Sequence, residues 1–148
     1  MKIKLNKFND NRGSLTCIDI KNWEQVNLSV NDKKFTFRGM HYQENPRQEK
    51  QIIVTKGKII DFIYNLNTQQ LESCELNEGE CVYVNNESAH GFLTLDNNTI
   101  VTYLVKGQYN PNEEKSIVWS DIKELNDIIL TYCKKEEIVI SEKDNKGK

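Results

Sequence analysis

The sequence predicts an all-β sandwich or barrel that ends in one short helix. Six short runs rich in β-branched and aromatic residues fill the middle of the 148-residue chain. Turn-forming residues separate them, and helical periodicity occurs once, near the C-terminus. Closely spaced short strands punctuated in this way are the mark of a sandwich or barrel.

The runs are Lys34 to Met40, Gln51 to Thr55, Lys58 to Leu66, Glu80 to Val84, Gly91 to Leu95 and Thr99 to Val105. Lys56-Gly57, Asn77-Glu78-Gly79, Asn85-Asn86 and Asp96-Asn97-Asn98 supply the turns between them, residues that tolerate tight or left-handed backbone. Ser120 to Leu130 predicts a helix, with Ile122, Leu125 and Ile129 on one face and Ser120 or Asp121 as its cap. Lys143 to Lys148 is polar and reads as a frayed tail. With two prolines, no Gly/Ser linker and no repeat, residues 1–148 read as a single domain of ordinary size.

Side chains alternate faces along a strand. Ile59, Asp61, Ile63 and Asn65 therefore share one face, opposite Ile60, Phe62, Tyr64 and Leu66. Asp61 is a carboxylate in a largely apolar strand, costly to bury without a partner. Val101, Tyr103 and Val105 share another face, and so do Phe37, Gly39, His41 and Gln43. Such faces can converge in the mouth of a barrel, where small ligands bind.

Composition excludes several classes. A formal net charge of −2 offers no basic footprint for nucleic acid. No apolar run approaches the roughly 20 residues needed to span a bilayer. The first residues, Met1 to Leu5, lack the apolar core of a secretion signal, so the chain reads as cytoplasmic. Cys17, Cys74, Cys81 and Cys133 show no zinc-ligand spacing, so no structural zinc site is expected, and they read as reduced, mostly buried thiols.

Only two histidines occur, each beside a glycine and a β-like run. His41 lies in Phe37-Arg38-Gly39-Met40-His41-Tyr42-Gln43, and His90 in Ser88-Ala89-His90-Gly91-Phe92. Imidazole titrates near neutral pH and suits proton transfer.

These motifs belong to an ordered series. It begins with Phe8-Asn9-Asp10-Asn11-Arg12-Gly13 and Gln25-Val26-Asn27-Leu28-Ser29, and continues through the two histidine motifs with Gln48-Glu49-Lys50 and Gly57-Lys58-Ile59-Ile60-Asp61. It closes with Tyr103, Tyr109-Asn110-Pro111, Glu114, Ile117-Val118-Trp119-Ser120-Asp121 and Ser141-Glu142-Lys143-Asp144. In order and spacing the series resembles the dTDP-4-dehydrorhamnose 3,5-epimerase family, nearly end to end. The resemblance implies a cupin-type jelly-roll barrel. It also implies an enzyme without metal or cofactor that inverts C3, C5 or both in a nucleotide-linked 4-keto-6-deoxy sugar, in deoxysugar and surface-polysaccharide biosynthesis. Both carbons flank the C4 carbonyl, so a base can remove a proton to leave an enolate and an acid on the opposite face can return one.

By the same resemblance His41 is the base and Asp144 its orienting carboxylate. Lys50 stabilises the oxyanion, Tyr103 is the general acid, and His90 with Asp61 forms a second pair beside the sugar. Arg38 matches a contact to sugar and phosphates. Arg12 matches one that reaches the diphosphate from a neighbouring subunit. Gln25, Asn27, Gln43, Gln48, Tyr109 and Glu114 match positions along the nucleotide sugar. A homodimer with exchanged N-terminal strands is implied as well, with no nucleic-acid or membrane partner.

The chain departs from the family pattern in three places. The segment from Gly13 to Gln25 is short, Asn85-Asn86-Glu87 replaces a Pro-x-Gly turn, and Asn67 stands where an arginine is usual. All three bear on nucleotide and sugar choice rather than on the acid and base. Three alternatives compete. A 3,4-ketoisomerase of the same fold typically carries a second histidine where this chain has Gln43. A non-catalytic binder needs no acid–base set. A metal-dependent cupin wants the His-x-His pair that His41-Tyr42-Gln43 breaks.

Overall fold

The computed structural model describes residues 2–146. Its strands are β1 (Lys2–Lys4), β2 (Lys7–Asp10), β3 (Gly13–Thr16), β4 (Gln25–Asn31), β5 (Phe37–Gln43), β6 (Glu49–Lys56), β7 (Lys58–Asn65), β8 (Leu71–Asn77), β9 (Glu80–Val84), β10 (Ser88–Thr94), β11 (Thr99–Lys106) and β12 (Glu114–Ser116). Two helices follow, α1 (Lys123–Tyr132) and α2 (Glu142–Lys146). The strands form two antiparallel five-stranded sheets, ordered β1-β9-β6-β11-β4 and β12-β5-β10-β7-β8, while β2 and β3 make a separate hairpin. Consecutive strands repeatedly land in opposite sheets, the pattern of a jelly roll.

Every strand run read from the sequence is present, shifted by a few residues at its ends. β8 and the short or exposed strands β1, β2, β3 and β12 carry little of the apolar alternation that marks the others.

The alternation along β7 sorts its side chains as expected. Ile59 and Ile63 enter the core between the sheets, with Ile52, Val54, Phe92 and Val101. Ile60 and Phe62 face outward and lie under α1, where Leu125, Ile129 and Ile122 cover them. Each fully buried side chain of this kind contributes about 1.5–3 kcal/mol. A third cluster, Ile53, Cys81 and Leu104, lies beneath Leu5, Ile18 and Trp23 of the N-terminal segment.

β5 departs from simple alternation. His90 of β10 pairs with His41, but Phe92 pairs with Arg38, so β5 holds one extra residue across this stretch. Such a bulge turns one side of the strand over. Phe37 and Met40 therefore both join the outer core with α1, while Arg38 and His41 both lie on the opposite side. Phe37 does not share a face with His41, and Arg38 does.

Gly39, at φ +129°, sits in the bulge, and a Cβ there would lie 2.5 Å from the Cα of Gly91. A Cβ on Gly91 would in turn lie 2.8 Å from the carbonyl oxygen of Arg38. The glycines beside the two histidines thus let two backbones touch, and that contact sets His41 directly opposite His90.

Three further readings need correction. A 3-10 turn, Trp119–Asp121, takes up Ser120 and Asp121, and α1 starts after Ile122 with no side-chain cap. Lys143 to Lys146, read as frayed, belong to α2, and Asp144 within it is buried; Gly147 and Lys148 lie outside the described residues. All four cysteines are unpaired, but only Cys81 and Cys133 are buried, Cys74 being half-buried and Cys17 exposed.

Candidate active site

The bulge in β5 and the short helix α2 build the first acid–base pair. Ser141 caps α2 by accepting a hydrogen bond from the Asp144 amide at 3.1 Å. Asp144 meets His41 Nε2 at 2.6 Å through Oδ1. Its other oxygen accepts from the Gly39 amide at 3.2 Å. Burial works to raise the Asp144 carboxyl, but the His41 hydrogen bond and charge, the Gly39 amide and Lys143 outweigh it and hold it below its ordinary 3.8. The carboxylate is therefore ionised at neutral pH, fixes the ring orientation, and leaves Nδ1 free of it.

The shift has a consequence in acid. A carboxyl whose folded value is depressed stabilises the protein above its unfolded value, and the contribution is lost as pH falls through the folded value. Asp144→Asn is expected to flatten the loss of thermal stability below about pH 4, near the ordinary carboxylate value, relative to the parent chain. Thermal melts across pH 2–6 check it, and parallel curves for the two proteins would contradict it.

A second pair lies deeper. His90 Nε2 and Asp61 Oδ1 are 2.5 Å apart, and the two residues are 5% and 2% exposed. Asp61 thus has the partner its position demands. Tyr103, from β11 in the opposite sheet, presents its ring edge-on to His90, with centroids 6.5 Å apart. Burial, opposed by a hydrogen bond with Ser29, pushes the Tyr103 phenol up to about 12, so it holds its proton at neutral pH.

Between the sheets, a cleft of about 170 Å³ is lined by His41, Lys50, Tyr103, Asn27, Tyr109 and Glu114, among others. Burial pulls the Lys50 ammonium down from its usual range, with Glu114 acting in the other direction. Among the described residues Lys50 has no salt-bridge partner, unlike Lys143, which pairs with Glu114 at 3.3 Å. The Tyr109 hydroxyl also donates to Glu114, at 3.0 Å. The cleft therefore holds one cation free to meet a developing oxyanion.

The other candidates divide. Arg38 lies on the His41 side of β5 but stays exposed, where Nε donates to Asn31 at 2.7 Å and Nη2 to the Val30 carbonyl at 3.3 Å. Asn27 pairs with Tyr103 in the β4–β11 register, and Gln25 donates to it at 2.7 Å from a more exposed position. Gln48 lines the cleft while donating to the Gly107 carbonyl at 3.0 Å. Gln43 is largely engaged: its amide donates to the carbonyls of Pro46 and Gln108 and accepts from the Asn110 amide. Gln43 therefore shapes the loops around the cleft. Arg12 is not brought to the cleft within one chain; it sits at the tip of the β2–β3 hairpin, paired with Asp10 at 2.6 Å.

Ser29, which stands in a motif without an assigned role, and Asn31, which stands in none, also belong to the site. Both are buried beneath Arg38 and Tyr103, and Asn31 links the Arg38 side chain to the Ser29 hydroxyl. The signal that could have found them is the polar alternation Gln25, Asn27, Ser29, Asn31 along β4, which marks one wet face. Among the described residues no cluster of three His, Cys, Asp or Glu side chains is placed to hold a metal.

Comparison with known proteins gives this arrangement a family. A family model described as dTDP-4-dehydrorhamnose 3,5-epimerase matches residues 1–148. The chain is 28% identical to the dTDP-4-dehydrorhamnose 3,5-epimerase of Sinorhizobium fredii, over 97% of this chain and 80% of that protein. It is 32% identical to the enzyme of that name from Mycobacterium tuberculosis, a match that spans 66% of this chain and 52% of the relative. Among solved structures, the Bacillus anthracis dTDP-4-dehydrorhamnose 3,5-epimerase with TDP and pyrophosphate bound superposes with a TM-score of 0.84 at 30% identity, covering 97% of this chain and 90% of that one. A Legionella pneumophila epimerase in complex with dTDP-4-keto-L-rhamnose shares the fold, with a TM-score of 0.82 at 22% identity. The chain belongs to the dTDP-4-dehydrorhamnose 3,5-epimerase family.

Proposed function

We propose that residues 1–148 act as one catalytic domain that inverts C3 and C5 of a dTDP-linked 4-keto-6-deoxy sugar, one carbon at a time, through an enolate. The observation that carries this reading is the shared cleft: a carboxylate-oriented imidazole, an unpaired ammonium and a protonated phenol all line it. His41 takes the proton next to the C4 carbonyl, and Asp144 stabilises the imidazolium that forms. Lys50 meets the negative charge growing on the carbonyl oxygen. Tyr103, reaching in from the opposite sheet, returns a proton to the other face of the carbon. No redox step and no metal are needed, because the carbonyl already acidifies both carbons.

A panel of dTDP- and GDP-linked 4-keto-6-deoxy sugars incubated in deuterated water tests the assignment. Deuterium exchange at carbons next to the ketone, fastest for the dTDP sugars, supports it. Migration of the ketone to C3 without inversion points instead to a ketoisomerase.

The same reading includes a homodimer. The β2–β3 hairpin stands apart from both sheets with Phe8 and Leu15 exposed. β4, an edge strand, exposes Val26, Leu28 and Val30 along one face, Leu28 to 67%. An apolar edge of this kind in a soluble chain needs a cover. A second copy's N-terminal arm covers it and carries Arg12 toward the neighbouring cleft. Sedimentation is expected to show a dimer for the parent chain and a monomer for Leu28→Glu; a monomeric parent would contradict the interface. A cytoplasmic location fits the unpaired cysteines and a substrate carried on a nucleotide.

A further inference from the structure

A buried amide in one sheet holds the exposed arginine that stands beside the base in the other. Arg38 lies on the His41 side of β5 and stays exposed. Its side chain reaches β4, an edge strand of the opposite sheet. There Nε donates to Asn31 Oδ1 at 2.7 Å, and Nη2 donates to the Val30 carbonyl at 3.3 Å. Both bonds use one side edge of the guanidinium. The end edge, made by Nη1 and the second N–H of Nη2, has no hydrogen-bond partner among the described residues. It offers two parallel N–H groups, the fork that fits a phosphate.

Asn31 is itself fixed. It pairs with Thr99 in the β4–β11 register and is buried. Its Nδ2 donates to the Thr99 carbonyl at 3.1 Å and to the Ser29 carbonyl at 3.2 Å, with the Ser29 hydroxyl also at 3.2 Å. A reversed amide would set its oxygen against two carbonyls and its N–H groups against the Arg38 N–H. Only one orientation satisfies the network, and it aims Oδ1 at Arg38. The hold is also neutral. Among the described residues no carboxylate forms a salt bridge with Arg38, so its positive charge is not cancelled. That charge reaches the cleft: burial dominates at the Tyr103 phenol, and Arg38 works against it.

We propose that Asn31 is a positioning residue that presets Arg38 to receive the diphosphate of the nucleotide sugar. The proposal rests on the epimerase reading above, which supplies the diphosphate. A sugar seated against His41 carries that group on C1, and Arg38 shares the His41 side of β5. The other cations of the cleft are engaged elsewhere: Lys143 pairs with Glu114, and Lys50 meets the carbonyl oxygen. A loose arginine loses rotamer freedom when it meets a ligand, and that loss weakens binding. Arg38 is ordered before the ligand arrives, with its side edge occupied and its end edge free. Asn31 touches no substrate atom and acts through Arg38 alone.

A double-mutant cycle tests the role, with thymidine diphosphate titrated calorimetrically into the parent, Asn31→Ala, Arg38→Ala and the double variant. Asn31→Ala is expected to raise Kd about tenfold. In the Arg38→Ala background the same change is expected to add less than about twofold, because the group it acts through is gone. An unchanged Kd in Asn31→Ala overturns the proposal. So does the full loss repeated without Arg38, which would make Asn31 a packing residue. A second measurement needs no Asn31 variant and covers its failure to fold. In nitrogen-15 spectra of the ligand-free parent, the Arg38 Nε–H is expected to exchange with water several-fold more slowly than that of the exposed Arg47; equal rates overturn the preset. A parent that exchanges deuterium into the 4-keto sugar but does not bind thymidine diphosphate refutes the proposal alone. A parent that does neither refutes the epimerase reading, and the proposal falls with it.

Discussion

Replacing His41 with alanine is expected to lower solvent-deuterium incorporation at both C3 and C5 by about a thousandfold or more, within the range that a positioned general base supplies. The size follows from the geometry. His41 is held at 2.6 Å by a carboxylate that is itself fixed by the Gly39 amide and by the cap of α2. Glu114 is committed to Tyr109 and Lys143, and His90, held by Asp61 in the same manner, is buried and does not line the cleft. The circular dichroism spectrum and melting temperature should stay close to the parent values, because the His41 side chain is partly exposed and lies outside all three hydrophobic clusters. Unchanged exchange in folded His41→Ala protein would remove His41 from the role of base.

Tyr103→Phe separates acid from base. Phenylalanine keeps the ring against Phe92 and His90 and removes only the proton that burial holds on the phenol. Proton removal by His41 does not require that hydroxyl, so initial exchange is expected to continue, within about tenfold of the parent. Inversion requires delivery from the opposite face and is expected to fall by about a hundredfold or more. Exchange without inversion, read from substrate recovered as deuterated but uninverted sugar, is the signature. An equal fall in both rates would make Tyr103 a packing residue.

Much of this site could be read in the chain before any coordinates. The rarity of histidine drew attention to His41 and His90, and the period-two pattern of β7 put Asp61 among apolar neighbours, where it demanded a partner. The identity of that partner was not a matter of local pattern. It depends on β10 pairing with β7, which brings together residues 29 positions apart. Asp144 shows the same limit more sharply. By polarity its segment reads as a loose tail, yet a tertiary contact spanning 103 positions buries it against His41. The motif resemblance recovered it where composition could not. β5 fails for a different reason: one extra residue at Gly39–Met40 reverses the alternation, so Arg38 rather than Phe37 joins the His41 face. Nothing in hydropathy marks a bulge. The glycines did hint at it, since Gly39 and Gly91 are both required where two backbones meet.

The most direct measurement of the central claim is the configuration and label position of the product formed by the parent enzyme in deuterated water. With a dTDP-linked 4-keto-6-deoxyglucose, the predicted product is the 3,5-inverted 4-keto sugar with one solvent deuterium at each inverted carbon and the ketone still at C4. A ketone relocated to C3, or label at neither carbon, would contradict the assignment of His41, Lys50 and Tyr103 as base, oxyanion partner and acid.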